Sequence, residues 1–391
     1  MTMLPAILEQ AFRLRRQLHA MPELSGQEQR TADHVCGRLA EMGIAFERGI
    51  GGHGVVATIR KGQSPRSVGL RCELDALPIL ECADVPHASQ NPGVMHACGH
   101  DGHMAAVLGA AALLQGADGW EGTVRLIFQP AEEPGCGARA MIADGMLERF
   151  PCDRMFAFHN YPGLDLGTVA VHEGPVMAAG NELAITLRGA SSHAAMPHLA
   201  RDPVIAAGHL LVALQTIVSR EIDPGLTATL SLTTLKGGTV ANQIPDQIEI
   251  GGTLRTFSQA ERRAALAAVR RHCAGLAAAF NVDIGLSESV TSNPLINTPR
   301  ERDLARRAAL ETGANLSTDM RPSMIGDDFA DFLAHMPGAY VWIGNGSAGP
   351  AGALHQERYD FDDRVLATAI PWLTRTTILS LDEHSSPITL D

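Results

Sequence analysis

The chain has 391 residues, 45% hydrophobic and 19% charged, which excludes a mainly disordered protein and suggests about two domains. Lys and Arg number 31 against 43 Asp and Glu, and the resulting net charge of −12 argues against nucleic acid or an anionic membrane as partner. The cysteines are an odd number, 7, spread thinly, which argues against a disulfide scaffold and fits reduced thiols in a cytoplasm.

Residues 4–42 read as helix, with apolar residues at helical spacing over 32–42 and Gly43 as a stop. The start does not read as a secretory signal, because its apolar segment is short and Glu9 precedes Arg13, Arg15 and Arg16. Short apolar strands bounded by turn residues follow at 54–59, 68–74, 123–128 and 155–158. Helical stretches at 104–114 and 138–147 lie between them, and this alternation predicts an α/β layer with a buried sheet. The 104–114 run is the longest apolar stretch, and it falls short of the roughly 20 residues a bilayer span needs.

The pattern changes near Gly180. Residues 182–188 alternate like a strand, Asp202 opens a helix over 203–219 with Pro203 in its first turn, and strands follow at 227–235 and 247–255. Ser258 then caps a helix that reaches Phe280, and 282–290 is strand-like. The order βαββαβ predicts a ferredoxin-like α+β domain over 181–290, inserted between the two parts, 1–180 and 291–391, of the α/β domain.

The densest chemistry is His96-Ala-Cys98-Gly-His100-Asp101-Gly-His103, ahead of a helix. Thiolate and imidazole together suit zinc and its neighbours, the alternative being a Gly-rich helix entry with solvated histidines and a buried thiol. Glu132-Glu133 follows the strand 123–128, where one carboxylate could bind metal while the other serves as a base; two surface glutamates are the plainer reading. His159 ends another strand, and His355 lies beyond the insertion. Together these residues can fill two open metal sites sharing a water. In the insertion, His193 and Asn242 could hydrogen-bond an oxyanion and Arg255 could grip a carboxylate, with turn chemistry and a solvated strand end as the alternatives. A nucleophilic role for Cys98 is disfavoured by the ligand-like residues crowding it.

The runs Arg16-Gln-Leu-His-Ala-Met-Pro-Glu-Leu-Ser, Asp75-Ala-Leu-Pro-Ile, Gly93-Val-Met-His-Ala-Cys-Gly-His-Asp-Gly-His, Leu126-Ile-Phe-Gln-Pro-Ala-Glu-Glu, His193-Ala-Ala-Met-Pro-His, Thr253-Leu-Arg-Thr and Leu354-His occur in order along the whole chain. This set resembles the aminoacylase, hippurate hydrolase and indoleacetyl-amino-acid hydrolase family, dinuclear amidohydrolases of the M-twenty metallopeptidase group. The resemblance implies a metallo-aminopeptidase-like catalytic domain, a mixed sheet flanked by helices, with the insertion as lid and dimerisation domain. It implies two divalent metal ions per subunit, zinc or manganese with nickel or cobalt also admissible, on Cys98, His100, Glu133, His159 and His355. Glu132 falls on the general base and Asp75 on an acidic position beside the metals. His193 matches a position that reaches the partner subunit's active site, and Asn242 and Arg255 match substrate-binding positions. The implied activity is hydrolysis of N-acyl amino acids by a cytoplasmic homodimer or homotetramer. A dipeptidase or carboxypeptidase on the same scaffold and a catalytically silent metal- or amino-acid-binding protein are the alternatives.

The chain departs from the family pattern at Arg71-Cys-Glu-Leu-Asp75, where Arg-Ala-Asp-Met-Asp is frequent, and at Gly326-Asp-Asp-Phe329, where Gly-Glu-Asp-Phe is frequent. It also carries His87 in place of Tyr, and Cys136 in place of Gly.

Overall fold

The computed structural model describes residues 3–347 and 352–382. The chain forms two compact units, Met1–Val176 with Ile296–Pro322 and Asp327–Asp391, and Met177–Leu295 with Ser323–Gly326.

The first unit is built on an eight-stranded sheet in the order Ala45–Ile50, Gly54–Lys61, Gly122–Gln129, Ser67–Glu73, Arg154–Tyr161, Gly338–Gly344, Thr168–Ala170, Asn315–Ser317. The sheet is mixed, as expected. Ser67–Glu73 runs parallel to both neighbours and Gly338–Gly344 runs parallel to Arg154–Tyr161, while Gly54–Lys61 runs antiparallel to the strands on either side of it. The central strands are buried along nearly their whole length because helices cover the sheet. The Ala-rich helix His100–Gly116 is buried on almost every side, packed against Leu4–His19 and Leu366–Leu381. An all-round apolar helix of this kind is a core element, which is why its sequence shows so little amphipathic periodicity.

The continuous helix expected over 4–42 is two helices, Leu4–His19 and Gln29–Glu41. Pro22 lacks the N–H that a helix interior needs and disfavours helical backbone at Met21. The intervening loop is fixed instead by Glu23, whose carboxylate accepts from the Thr31 N–H at 2.8 Å. The stretch 138–147 likewise divides into Gly137–Ala143 and Met146–Arg149, at Gly145 with φ +79°.

The second unit holds a four-stranded antiparallel sheet in the order Ala228–Lys236, Gln247–Thr256, Ala179–Arg188, Asp283–Ser292. With the helices Pro203–Thr216 and Gln259–Phe280 on one face, this is the βαββαβ arrangement. Both helices start on side-chain caps. Asp202 accepts from Val204 N–H at 2.8 Å, and Ser258 with Glu261 forms a capping box. Residues Pro203–Glu221 reach the length and composition of a membrane span, with mean hydropathy 1.3, although a third of the stretch is buried in this unit. Ala206, Ala207, Leu210, Leu214 and Ile217 pack on the sheet, leaving Val204, Ile205 and Val212 exposed. The unit is not one uninterrupted stretch of chain: Ser323–Gly326 joins it through carbonyls of Ser323 and Ile325 that accept from Ala178 N–H at 3.1 and 3.0 Å.

Candidate metal centre and active site

In the first unit three parallel strands end side by side: Ser67–Glu73 leads to Asp75, Gly122–Gln129 to Glu132 and Glu133, and Arg154–Tyr161 carries His159 near its end. This is the carboxyl edge at which open α/β sheets place their ligands. His100 opens the buried helix, and Gly99 makes that entry possible. Its φ is +89°, and a Cβ there would lie 2.3 Å from Asn160 Nδ2 and 2.5 Å from Tyr359 Oη. Asn160 in turn donates to the Cys98 carbonyl at 2.7 Å and accepts from Tyr359 Oη at 2.6 Å, locking the thiol's backbone. Asp101 pins the loop from the other side. It pairs with Arg15 at 3.1 Å and His19 at 2.8 Å. Burial alone would raise its pKa, but these two cations outweigh that and hold the carboxyl well below the usual range.

Donor atoms from Cys98, His100 and His159 lie within 4.8 Å of one another, as do those from Cys98, Glu133 and His355 and those from His100, Glu132 and Glu133. Cys98 Sγ is 3.2 Å from His159 Nε2, and His355 Nε2 is 3.6 Å from Glu133 Oε2. The ring tautomers follow from the outer hydrogen bonds. His159 Nδ1 donates to the Asn160 carbonyl at 2.7 Å and His100 Nδ1 to the Asp75 carbonyl at 2.8 Å, which leaves both Nε2 lone pairs facing the cluster. His100 Nε2 and Glu133 Oε1 are buried with no hydrogen-bond partner among the described residues. Unpaired buried donors and acceptors are expensive, and a cation resolves them. A thiol, three imidazoles and a carboxylate therefore fit divalent metal ions in both charge and donor type.

Asp75 accepts from Ser25 Oγ at 2.7 Å and from the Glu133 N–H at 3.0 Å, and its Oδ1 lies 3.5 Å from His100 Nδ1, so one carboxylate stands against both Glu133 and His100. Two site residues sit in left-handed backbone, Ala131 with φ +48° and His355 with φ +61°. Such positions cost about 1–3 kcal/mol each and persist only where the surroundings over-determine them. Here the Ala131 N–H donates to buried Glu28 at 2.8 Å and the His355 N–H to the Ala97 carbonyl at 2.9 Å.

Two of the three histidines in the dense motif serve otherwise. His103 uses both nitrogens, Nδ1 on Glu73 at 2.7 Å and Nε2 accepting from the Asn160 N–H at 3.2 Å. His96 is enclosed, and burial pushes its pKa down to about 3, which keeps the ring neutral.

The sequence reading missed the cluster around Arg71. This fully buried guanidinium bonds Gln129 at 2.8 Å, Asp327 and Asp328 at 3.0 Å each, and Glu73. Tyr340 Oη donates to Asp327 at 2.8 Å, and Asp328 accepts from the Ala138 N–H at 2.9 Å. A carboxylate oxygen of Glu132 lies within 4.8 Å of those of Asp327 and Asp328. Burial, followed by Asp327, Glu133 and Asp328, raises the Glu132 pKa well above that of an ordinary glutamate, against the pull of Arg71. The signal was present in the paired departures at 73 and 327. One acid is longer than the frequent residue and the other shorter, and both contact the same arginine.

The remaining predicted residues belong to the second unit. The ribbon pairing Ser192–His193 with Gln243–Ile244 brings His193 and Asn242 together, the Asn242 carbonyl accepting from the Ala194 N–H at 2.9 Å. Both residues are exposed. Arg255 stands apart from them on the sheet, in register with Gly180.

A mixed sheet whose strand ends converge on thiol, imidazole and carboxylate donors, with one further glutamate alongside, defines a metal-dependent hydrolase. Residues 69–377 match Peptidase family M20/M25/M40, and the chain belongs to that family. The chain is 40% identical to an N-acetyl-L-cysteine deacetylase of Bacillus subtilis, over 87% of this chain and 82% of that protein. It is 35% identical to a hippurate hydrolase of Campylobacter jejuni, over 97% and 99%. Among solved structures, a dinuclear metal-binding M20 peptidase of Bacillus subtilis superposes with a TM-score of 0.86 at 33% identity, covering 96% of this chain and 99% of that one.

Proposed function

We propose that this chain hydrolyses the amide bond of N-acyl amino acids, releasing a carboxylic acid and a free amino acid. The carrying observation is that Glu132 lies within 4.8 Å of His100 and Glu133, at the edge of the donor groups formed by Cys98, His100, Glu133, His159 and His355, and is not needed to complete them. The similarity to a deacetylase and a hippurate hydrolase supports the same substrate class.

Cys98, His100, Glu133, His159 and His355 hold two divalent ions in this reading, zinc or manganese, with nickel or cobalt compatible with the same donors. When bound, the ions polarise the scissile carbonyl and lower the proton affinity of water. Glu132 takes the proton from the attacking water and delivers it to the leaving amine. Burial and its carboxylate neighbours raise its basicity for the first transfer, with the Arg71 guanidinium pulling the other way. Asp75 orients His100.

Residues 1–180 and 291–391 act as the catalytic domain and 181–290 as a lid and dimerisation domain. The partner subunit's His193 supports the developing oxyanion, and Asn242 and Arg255 hold the substrate carboxylate. Exposed Val204, Ile205 and Val212 support a homodimer or homotetramer built through this domain. Seven free thiols suit a cytoplasmic location.

The test is amino-acid release from N-acetyl, N-benzoyl and N-indoleacetyl amino acids and from dipeptides, comparing chelated protein with protein resupplied with zinc or manganese. Metal-dependent release from the acyl amino acids is expected. Release from dipeptides alone would reassign the chain as a peptidase, and full activity under chelation would overturn the metal reading.

A further inference from the structure

The helix-free face of the second unit's sheet carries a cation, Arg255, that has no ion-pair partner among the described residues. Along Ala179–Arg188 the side chains of Leu183, Ile185 and Leu187 enter the core, while Glu182 and Ala184 are exposed on the other face. Gly180 shares that open face by the two-residue period of a strand. On the neighbouring strand Arg255 stands directly opposite Gly180, with Thr253 beside it and Leu254 in the core. Arg255 is half-buried, yet it has no ion pair or side-chain hydrogen bond among the described residues. Glu182 lies two residues along the same face, in register with Thr253, and does not come within ion-pair distance of the guanidinium.

Gly180 determines where this cation rests. A Cβ on Gly180 would fall 2.7 Å from Arg255 Nη1 and 3.1 Å from its Cζ, so the guanidinium lies over space that any side chain would fill. The same Cβ would fall 2.2 Å from Thr291 Oγ1. Thr291 arrives there through a bulge. The register of Asp283–Ser292 against Ala179–Arg188 shifts between Val290 and Ser292, the latter opposite Gly180. A bulge adds a residue to one strand and re-aims its side chain, a device used beside binding sites. Register, bulge and missing side chain thus bring a fork of N–H donors and a hydroxyl to one point, the geometry that a carboxylate accepts in two-point fashion.

We propose that Gly180 is a specificity-determining residue: together with the Thr291 bulge it seats the Arg255 guanidinium so that guanidinium and hydroxyl jointly receive the substrate's free carboxylate. This rests on the reading of Arg255 as the carboxylate anchor given above. The seat makes a free carboxylate a required feature of the substrate, and residue 180 controls how strictly it is required. A methyl group at 180 displaces two flexible side-chain ends rather than backbone, so Gly180→Ala retains the fold.

The test compares the metal-loaded wild-type enzyme with Gly180→Ala, Thr291→Val, Thr291→Ser and Arg255→Met, each on an N-acyl amino acid and on the same compound with its carboxylate capped as an amide. Gly180→Ala should raise KM for the free acid about tenfold, with kcat within about twofold and the capped compound unaffected. Thr291→Val should raise KM about three- to fivefold and Thr291→Ser should restore it. The inhibition constant of the product amino acid, which reads binding without turnover, should weaken in parallel. If Arg255→Met abolishes the preference for the free acid while Gly180→Ala and Thr291→Val leave it intact, the seat is wrong and the anchor stands. If Arg255→Met also leaves the preference intact, the anchor itself is wrong and the seat falls with it. Equal loss on both compounds in Gly180→Ala would mean a general structural role and would overturn the proposal.

Discussion

The two units carry their candidate functional residues in opposite ways. In the first, every group but exposed His355 is buried or partly buried, and almost every one is held by a neighbour: Asp75 by Ser25 and Glu133, His159 by Asn160, and Arg71 by three acids and an amide. In the second, His193 and Asn242 are exposed, and Arg255 has no ionic partner among the described residues. A pre-organised polar cluster contributes to stability as well as to chemistry, because each member satisfies a buried partner. An exposed group contributes to stability hardly at all, so its demands fall on the substrate. Substitutions in the first unit should therefore cost folding and turnover together, and those at the second unit's site residues turnover alone.

The largest expected effect tests the exception within the first unit. Glu132→Gln removes a base while keeping shape and volume, so kcat should fall by about 10²–10⁴-fold, with metal content by elemental analysis unchanged. Turnover at the wild-type level would remove Glu132 from the mechanism. Next is Arg71→Met, which leaves Glu73, Asp327 and Asp328 buried without their cation and should lower unfolding stability by about 3–5 kcal/mol, measured by denaturant titration. A loss below about 1 kcal/mol would mean that the acids re-pair or become protonated at little expense, and the contrast between the units would weaken.

His193→Ala is the mirror experiment. It should lower kcat by about 10²–10³-fold if the ring supports the oxyanion. Its melting temperature should match the wild type, since exposed substitutions shift stability by less than about 0.5 kcal/mol. A large drop in melting temperature would show that the ribbon at Ser192–His193 depends on this side chain after all. The smallest effect is expected from Asp202→Ala, which deletes the cap on Val204 and Ile205 and should cost about 1 kcal/mol without altering KM.

Local patterns carried much of the architecture. Strand alternation, the caps at Asp202 and Ser258 and the βαββαβ order are written in short windows, and the structure contains each of them. The misreadings were also local. The helix expected over 4–42 ignored Pro22, and the strand Ala45–Ile50 was not anticipated, because its residues are mostly exposed and lack a buried strand's apolar run. Within the site, Cys98, His100 and the two glutamates stood out by density. By contrast Arg71, Asp327 and Asp328 did not, because the cluster joins residues more than 250 positions apart.

By itself the sequence determined which residue types could bind metal and exchange protons, since the chemistry of thiol, imidazole and carboxylate belongs to the side chain. Tertiary structure decided which of them are free to do so. His100 and His103 are three residues apart on one helix, yet only His100 keeps an unused nitrogen facing the cluster, because His103 is taken by Glu73 and the Asn160 backbone. The partners that set these two tautomers, Asp75 for His100 and Glu73 for His103, sit at and just past the end of Ser67–Glu73, and such pairings form only when the sheet brings its strand ends to the helix.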